Sequence, residues 1–272
     1  MALYMIGLGL YDMMDVTLRG LEAIRHADVI YLEHYTAVLH TRKEELESFF
    51  KRPIVQAGRD MVERQGDGII EEAKGKEVAF LVVGDPFGAT THSDLFLRAR
   101  QQDVRIEVIH NASILSAVGV VGLELYKYGR TTTLVFPDDG WLPDSPYEAI
   151  RKNQEAGLHT LCLLDIKVSE PSRETLRKGD DTPEPPRFMT VQQGLDVLKK
   201  LEEKHGQGVI MDDTVVVGLA RIGGVNDVPT ICTGTVEELQ DKDFGQPMHS
   251  IIIPAKSLHH VEEEMLAQWR CP

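Results

Sequence analysis

Positive charge is scarce in this 272-residue chain: 29 Lys and Arg stand against 43 Asp and Glu, a formal net charge of −14. Gripping nucleic acid by phosphate neutralisation needs clustered cations, so that function class is excluded. Cysteine is scarcer still, with three residues, Cys162, Cys232 and Cys271, and no Cys-x-x-Cys pair. This odd count gives neither a disulfide framework nor a zinc knuckle and points to a reducing compartment. Long apolar runs are missing too. The longest weakly polar stretch, 112–123, is interrupted by Ser113, Ser116 and two glycines, well short of the roughly 20 residues that span a bilayer. No membrane crossing is expected. Met1-Ala2-Leu3-Tyr4-Met5-Ile6 has no basic region and no small-residue cleavage site ahead of Asp12, so it reads as a first strand and not a signal peptide. The cytosol is the expected compartment.

What is present is a globular composition, 42% apolar and 26% charged with 23 glycines, enough for one large domain or two small ones. Residues 2–8 are mostly apolar and end at Gly7-Leu8-Gly9, after which Thr17 can cap a helix with Leu18, Leu21 and Ile24 on one stripe. Strand and helix then alternate. Strands are predicted at 28–33, 78–83, 104–109 and 131–136; helices at 41–50, 59–74, 93–102 and from about 113. Val78-Ala79-Phe80-Leu81-Val82-Val83 is apolar without alternation, as a strand buried on both faces of a parallel sheet must be, and is expected at its centre. Such alternation with short connections means α/β layers with right-handed crossovers. Between Pro137 and Pro146 three prolines and several turn formers fall together, which places a linker at about 138–145 between an N-terminal domain, 1–137, and a C-terminal one, 146–272. The second half reads as a helix at 147–156, strands at 159–165, 214–220, 230–234 and 250–254, and helices at 190–204 and 258–269. Ser169–Arg187, rich in proline and charge, reads as a surface insertion. Hairpin-type links such as Gly223-Gly224-Val225-Asn226 imply mixed strand directions there.

Three loops can carry chemistry. Gly7-Leu8-Gly9-Leu10-Tyr11-Asp12 begins like a dinucleotide fingerprint, but Asp12 stands where the third glycine is due and would repel a pyrophosphate. A tight turn explains the same glycines. Gly84-Asp85-Pro86-Phe87-Gly88-Ala89-Thr90-Thr91-His92-Ser93 follows the most buried strand, where ligands of parallel sheets collect. Lacking Lys or Arg, it suits a neutral or weakly cationic ligand held by main-chain groups, with Asp85 as an acceptor; an ordinary turn capped by Asp85 and Ser93 is the alternative. His110-Asn111-Ala112-Ser113-Ile114 also closes a strand, where small residues permit close approach of a ligand, but the His-Asn pair reads first as a helix cap. Asp165 beside Lys167 reads as a local ion pair, and His249 as a hydrogen-bonded structural histidine. Adjacent His259 and His260 face different sides of a helix and make a poor metal pair. No serine elbow, His-Glu-x-x-His or Cys/His cluster is present, so neither hydrolysis nor metal catalysis is expected.

Taken in order, these loops, with 3–10, 159–167, Gly218-Leu219-Ala220-Arg221 and Pro247-Met248-His249-Ser250, resemble the successive blocks of the diphthine synthase family of the tetrapyrrole methylase superfamily. Phe87, Asn111 and Pro185-Pro186-Arg187 resemble its eukaryotic branch; Gln246, where an acidic residue often stands, and a slightly long Gly223–Asp227 loop depart from it. The resemblance implies a two-domain α/β fold, with a mostly parallel N-terminal sheet flanked by helices and a C-terminal mixed sheet. It implies a homodimeric methyltransferase that uses S-adenosylmethionine in the cleft between domains and releases S-adenosylhomocysteine. Its protein substrate would be translation elongation factor 2, whose aminocarboxypropyl-histidine receives three methyls on the amine and one on the carboxylate, giving diphthine methyl ester. The family's cofactor contacts fall on Leu10, Asp85, Gly88, Ser113, Ile114, Leu164, Ile222 and His249. No metal is implied. A general base is optional, and His92 and His110 are its candidates. A methylase of small tetrapyrroles and a cofactor-binding protein without turnover are the alternatives.

Overall fold

The computed structural model describes residues 1–137, 141–168, 185–226 and 229–271. The chain divides into two compact units, Met1–Leu115 and Ser116–Pro272. In the first, five strands, β1 (Ala2–Gly7), β2 (Val29–Glu33), β3 (Val55–Ala57), β4 (Glu77–Val82) and β5 (Ile106–Ile109), form one sheet in the order β3-β2-β4-β1-β5. Every pairing is parallel. β4 is central, as its unbroken apolar run requires. Its alternate residues feed two cores: Val78, Phe80 and Val82 join Ile69, Ile70 and Ala73 of α3 (Gly66–Gly75) and Leu95 and Ala99 of α4 (Ser93–Gln101). Ala79 and Leu81 point the other way, toward Ile24 of α1 (Leu18–His26) and Leu46 and Phe50 of α2 (Lys43–Phe50). Covering both faces is what an all-parallel sheet demands. Thr17 caps α1 by accepting from the Gly20 amide, as the sequence indicates.

The second unit is built on a mixed sheet, β11-β10-β12-β7-β6. Its strands are β6 (Thr132–Leu134), β7 (Thr160–Leu164), β10 (Val215–Ala220), β11 (Thr230–Thr235) and β12 (His249–Ile253), with β8 (Ile166–Lys167) and β9 (Arg187–Phe188) as a separate two-stranded ribbon. β6 runs parallel to β7, and the other three neighbours of the sheet pair antiparallel. Because β6 hydrogen-bonds to β7, residues 132–134 belong to this sheet, and the units part after Leu115, ahead of the proline-rich segment read as the linker. Of that segment, 138–140 lie outside the described residues, as do 169–184 of the expected insertion and Asp227 of the long loop. The core joins Tyr147 and Ile150 of α6 (Ser145–Glu155) to Leu195, Leu198 and Leu201 of α7 (Val191–His205) and Ile251 and Ile253 of β12. Phe244 packs so closely over β10 that a Cβ on Gly218 would fall 2.2 Å from its ring. Gly218→Ala should therefore cost about 1–3 kcal/mol by overpacking, read as a lower denaturant midpoint.

Cys232 of β11 and Cys271 come side by side, with Cα atoms 5.3 Å apart, and Cys162 is buried. The C-terminal residues lie along β11, where the Thr233 amide donates to Trp269 and Thr233 accepts from Cys271. That tertiary pairing brings together cysteines 39 residues apart, which no local spacing announces.

The second unit is also pinned by a buried carboxylate. Glu262 in α9 (His260–Gln268) is 1% exposed. One oxygen accepts from the Glu124 amide at 3.1 Å and His159 Nε2 at 3.0 Å; the other accepts from Lys127 Nζ and the His259 amide, both at 2.9 Å. His159 Nδ1 accepts from the Ala255 amide, so its proton sits on Nε2 and the ring is neutral. Burial pushes the Glu262 carboxyl up, but these four donors outweigh it and bring it down to about 2.

Candidate functional site

At the carboxyl ends of β1 and β4, two glycine turns lie back to back. Gly9 and Gly84 both have φ of 80° and exchange backbone hydrogen bonds, Gly84 N to Gly9 O at 2.6 Å and Gly9 N to Gly84 O at 3.2 Å. A side chain on Gly7 would meet the Gly84 carbonyl oxygen at 2.6 Å. These glycines are thus needed for close approach and left-handed backbone, which the sequence reading allowed without any ligand.

Two carboxylates then satisfy the amides these turns expose. Asp15 Oδ2 accepts from Leu10 N at 3.1 Å and Tyr11 N at 2.8 Å. Asp85 Oδ1 accepts from Phe87 N at 2.9 Å, and its Oδ2 from Asn111 N at 3.1 Å and His110 Nδ1 at 2.8 Å. Burial alone would raise the Asp85 carboxyl; the Phe87 amide, His110 and Asn111 together hold it below its ordinary value. Asn111 closes the arrangement by donating its side-chain amide to the Gly7 and Asp15 carbonyls, both at 3.0 Å. Sequence reading missed Asp15 and the reach of Asn111. An acidic residue shortly after a glycine turn was the available signal for the first; nothing local announces a bond spanning about a hundred residues.

Leu10, Asp85, Gly88 and Ser113 accordingly share one end of the first sheet. A Cβ on Gly88 would meet Ser113 Cβ at 2.6 Å and Oγ at 2.7 Å, and one on Gly84 would touch Leu10 at 3.9 Å. Ser113 is buried, its Oγ accepts from the Leu115 amide, and Ile114 opens the short helix α5 (Ile114–Ala117) beside it. Leu164, Ile222 and His249 belong to the second unit, where Ala220 pairs with His249 and Leu163 with Ser250. His249 Nδ1 accepts from Val191 N, and Nε2 donates to the Gly245 and Gln246 carbonyls. Burial holds this ring neutral by lowering its pKa. Asp165, read as an ion-pair partner of Lys167, accepts from the Phe136 amide at 3.0 Å.

The two candidate bases differ sharply. His110 keeps 71% of its side chain exposed with Nδ1 on Asp85. His92 is 1% exposed, and its Nδ1 lies 3.3 Å from the Pro86 carbonyl.

The donor set discriminates between ligands. The Leu10, Tyr11, Phe87 and Asn111 amides are already paired with Asp15 and Asp85, and 84–93 holds no Lys or Arg. Carbonyls, a carboxylate and small side chains instead fit an uncharged purine and a cationic sulfonium.

Comparison with known proteins gives the family. Residues 2–189 match the family model for tetrapyrrole (corrin/porphyrin) methylases. The chain is 48% identical over 274 residues to the diphthine methyl ester synthase of Homo sapiens, covering 99% of this chain and 95% of that one. With the diphthine methyl ester synthase of Saccharomyces cerevisiae it shares 46% over 268 residues, 98% and 89% of the two chains. A crystal structure of diphthine synthase superposes with a TM-score of 0.85 at 34% identity, covering 99% of this chain and 96% of that one.

Proposed function

The chain belongs to the tetrapyrrole methylase family and, within it, to the diphthine methyl ester synthases, and from this premise we propose that it methylates the aminocarboxypropyl-histidine of translation elongation factor 2 with S-adenosylmethionine. The observation that carries the cofactor reading is the paired glycine turns, where Asp15 and Asp85 take the Leu10, Tyr11, Phe87 and Asn111 amides and present negative charge. When bound, the cofactor supplies an electrophilic methyl on a positively charged sulfur. Leu10, Asp85, Gly88, Ser113 and Ile114 hold it, and no cation in 84–93 opposes that charge. Orientation is the main service of such a site, since alignment of reactants is worth about 7–11 kcal/mol.

The acceptor amine must lose a proton before attack; the acceptor carboxylate need not. His110 is the histidine suited to take that proton, because Asp85 fixes its Nδ1 and leaves the ring at the surface. The protein works as a homodimer in the cytosol, as the family resemblance implies, and light scattering checks the dimer. Among the described residues no helix is long and apolar enough to cross a membrane.

Incubating the chain with labelled S-adenosylmethionine and elongation factor lacking these methyls should place up to four on the histidine peptide by mass analysis. Label on a uroporphyrinogen-type acceptor instead would favour the tetrapyrrole reading, and tight cofactor binding without any labelled product would make the chain a binding protein.

A further inference from the structure

The turn that follows β4 is held at both ends, but by different means. Asp85 organises the front half through Phe87 N, and its own carbonyl accepts from Gly88 N at 3.1 Å. The back half passes through Ala89, whose φ of 62° is left-handed, a conformation that costs energy in any residue with a Cβ and persists only where neighbours enforce it. The two side chains that span Ala89 both return to one atom: Thr90 Oγ1 donates to the Pro86 carbonyl at 2.9 Å, and His92 Nδ1 reaches the same oxygen at 3.3 Å. A carbonyl has two lone pairs, so both are filled.

We infer that His92 is a positioning residue: through its Nδ1–H on the Pro86 carbonyl it holds the Gly84–Gly88 turn in the shape that receives the cofactor. The inference rests on the reading of that turn as part of the cofactor site. The tautomer follows from the partner, because a carbonyl only accepts and Nδ1 must carry the proton. Edge-on packing against Phe80, with ring centres 5.2 Å apart, and against Tyr35, at 6.3 Å, fixes the plane of the ring. Nε2 has no hydrogen-bond partner among the described residues. Burial lowers the ring's pKa against the nearby carboxylates of Glu33 and Glu63. A ring so enclosed is a poor carrier of protons and a good fixed strut.

Two isosteric variants separate the roles. His92→Asn puts an amide N–H where Nδ1 stood, whereas His92→Gln places its amide near the position of Nε2. The cavity of about 320 Å³ that His92 lines with Val62, Glu63 and Leu95 gives the longer side chain room. Calorimetry with S-adenosylmethionine should find His92→Asn within about twofold of wild type and His92→Gln weaker by about five- to tenfold, the effect of one lost neutral hydrogen bond. At saturating cofactor kcat should stay within about twofold for both, with an unchanged pH profile. A fall in kcat of about a hundredfold or more in both variants at saturation would make His92 the base and overturn the inference. Equal loss of affinity in both, tracking equal loss of thermal midpoint, would reduce the ring to core packing and overturn it too. Wild-type protein that binds no S-adenosylmethionine would remove the cofactor reading itself.

Discussion

Glu262→Gln should lower the thermal midpoint by on the order of 10 °C, because removing one member of a buried, hydrogen-bonded ion pair costs about 3–5 kcal/mol. The amide keeps the shape of the carboxylate but presents a donor where only acceptors are wanted. Four donors, from Glu124, His159, Lys127 and His259, converge on this side chain, so no rotamer of glutamine satisfies them all. A midpoint within about 2 °C of wild type would show the network to be dispensable. Acid should act the same way. The Glu262 carboxyl lies at about 2 in the folded chain against 4.5 unfolded, so its contribution is whole above 4.5 and lost as pH falls toward 2. His159, kept neutral by burial and lowered from 6.5, works in the same direction from a higher starting point, since the unfolded chain takes up its proton first. Stability of the wild type should therefore begin to fall below about pH 6.5 and fall further below 4.5; in Glu262→Gln the second decline should be shallower.

Gly88→Val should weaken S-adenosylmethionine binding by at least about a hundredfold, roughly 2.7 kcal/mol, with little change in far-UV circular dichroism. The obstacle is local: the new Cβ lies 2.6 Å from Ser113 Cβ and 3.3 Å from Asp85 Cβ. A serine Cβ cannot swing aside without its backbone, and the Ser113 hydroxyl is tied to the Leu115 amide. Relief must come from parting the turn after β4 from the turn after β5, which separates the cofactor contacts proposed here. Calorimetry decides the matter: affinity near that of wild type would remove Gly88 and Ser113 from the site. Gly88→Ala should fall between, since the clash grows with side-chain size.

Much of this arrangement is legible in the residues because the first unit is periodic. An apolar strand with no polar gap, such as Val78–Val82, has one home, the middle of a parallel sheet, and the loops at its carboxyl end are then the place to look for a ligand. What stayed hidden was short or distant. β3 is three residues long, and its residues Val55 and Gln56 are exposed, so no pattern marks it. The expected helix at 59–74 splits at Gln65, whose φ of −108° and ψ of 13° lie outside the helical range; a wider turn at Asp60–Arg64 precedes α3, its Val62 carbonyl accepting from Arg98 Nη2 at 2.9 Å. The helix α8 (Val236–Gln240) is too short for periodicity, although Thr235 with Glu238 is a capping box that the text displays. The Cys232–Cys271 pairing and the side-chain bonds of Asn111 depend on the finished fold, and composition carries no trace of them.

The internal pairing of Asp15 and Asp85 with the turn amides has a consequence for traffic in a crowded cell. A nucleoside triphosphate and the methyl donor display the same adenosine; they differ in the tail. A phosphate chain arriving at these turns finds two resident anions and the Leu10, Tyr11, Phe87 and Asn111 amides already taken by them, whereas a positively charged tail meets no such opposition. If the methyl donor sits here as proposed, selectivity against adenine nucleotides rests on these two carboxylates, and Asp15→Asn should admit nucleotides more readily, read as tighter nucleotide binding by calorimetry.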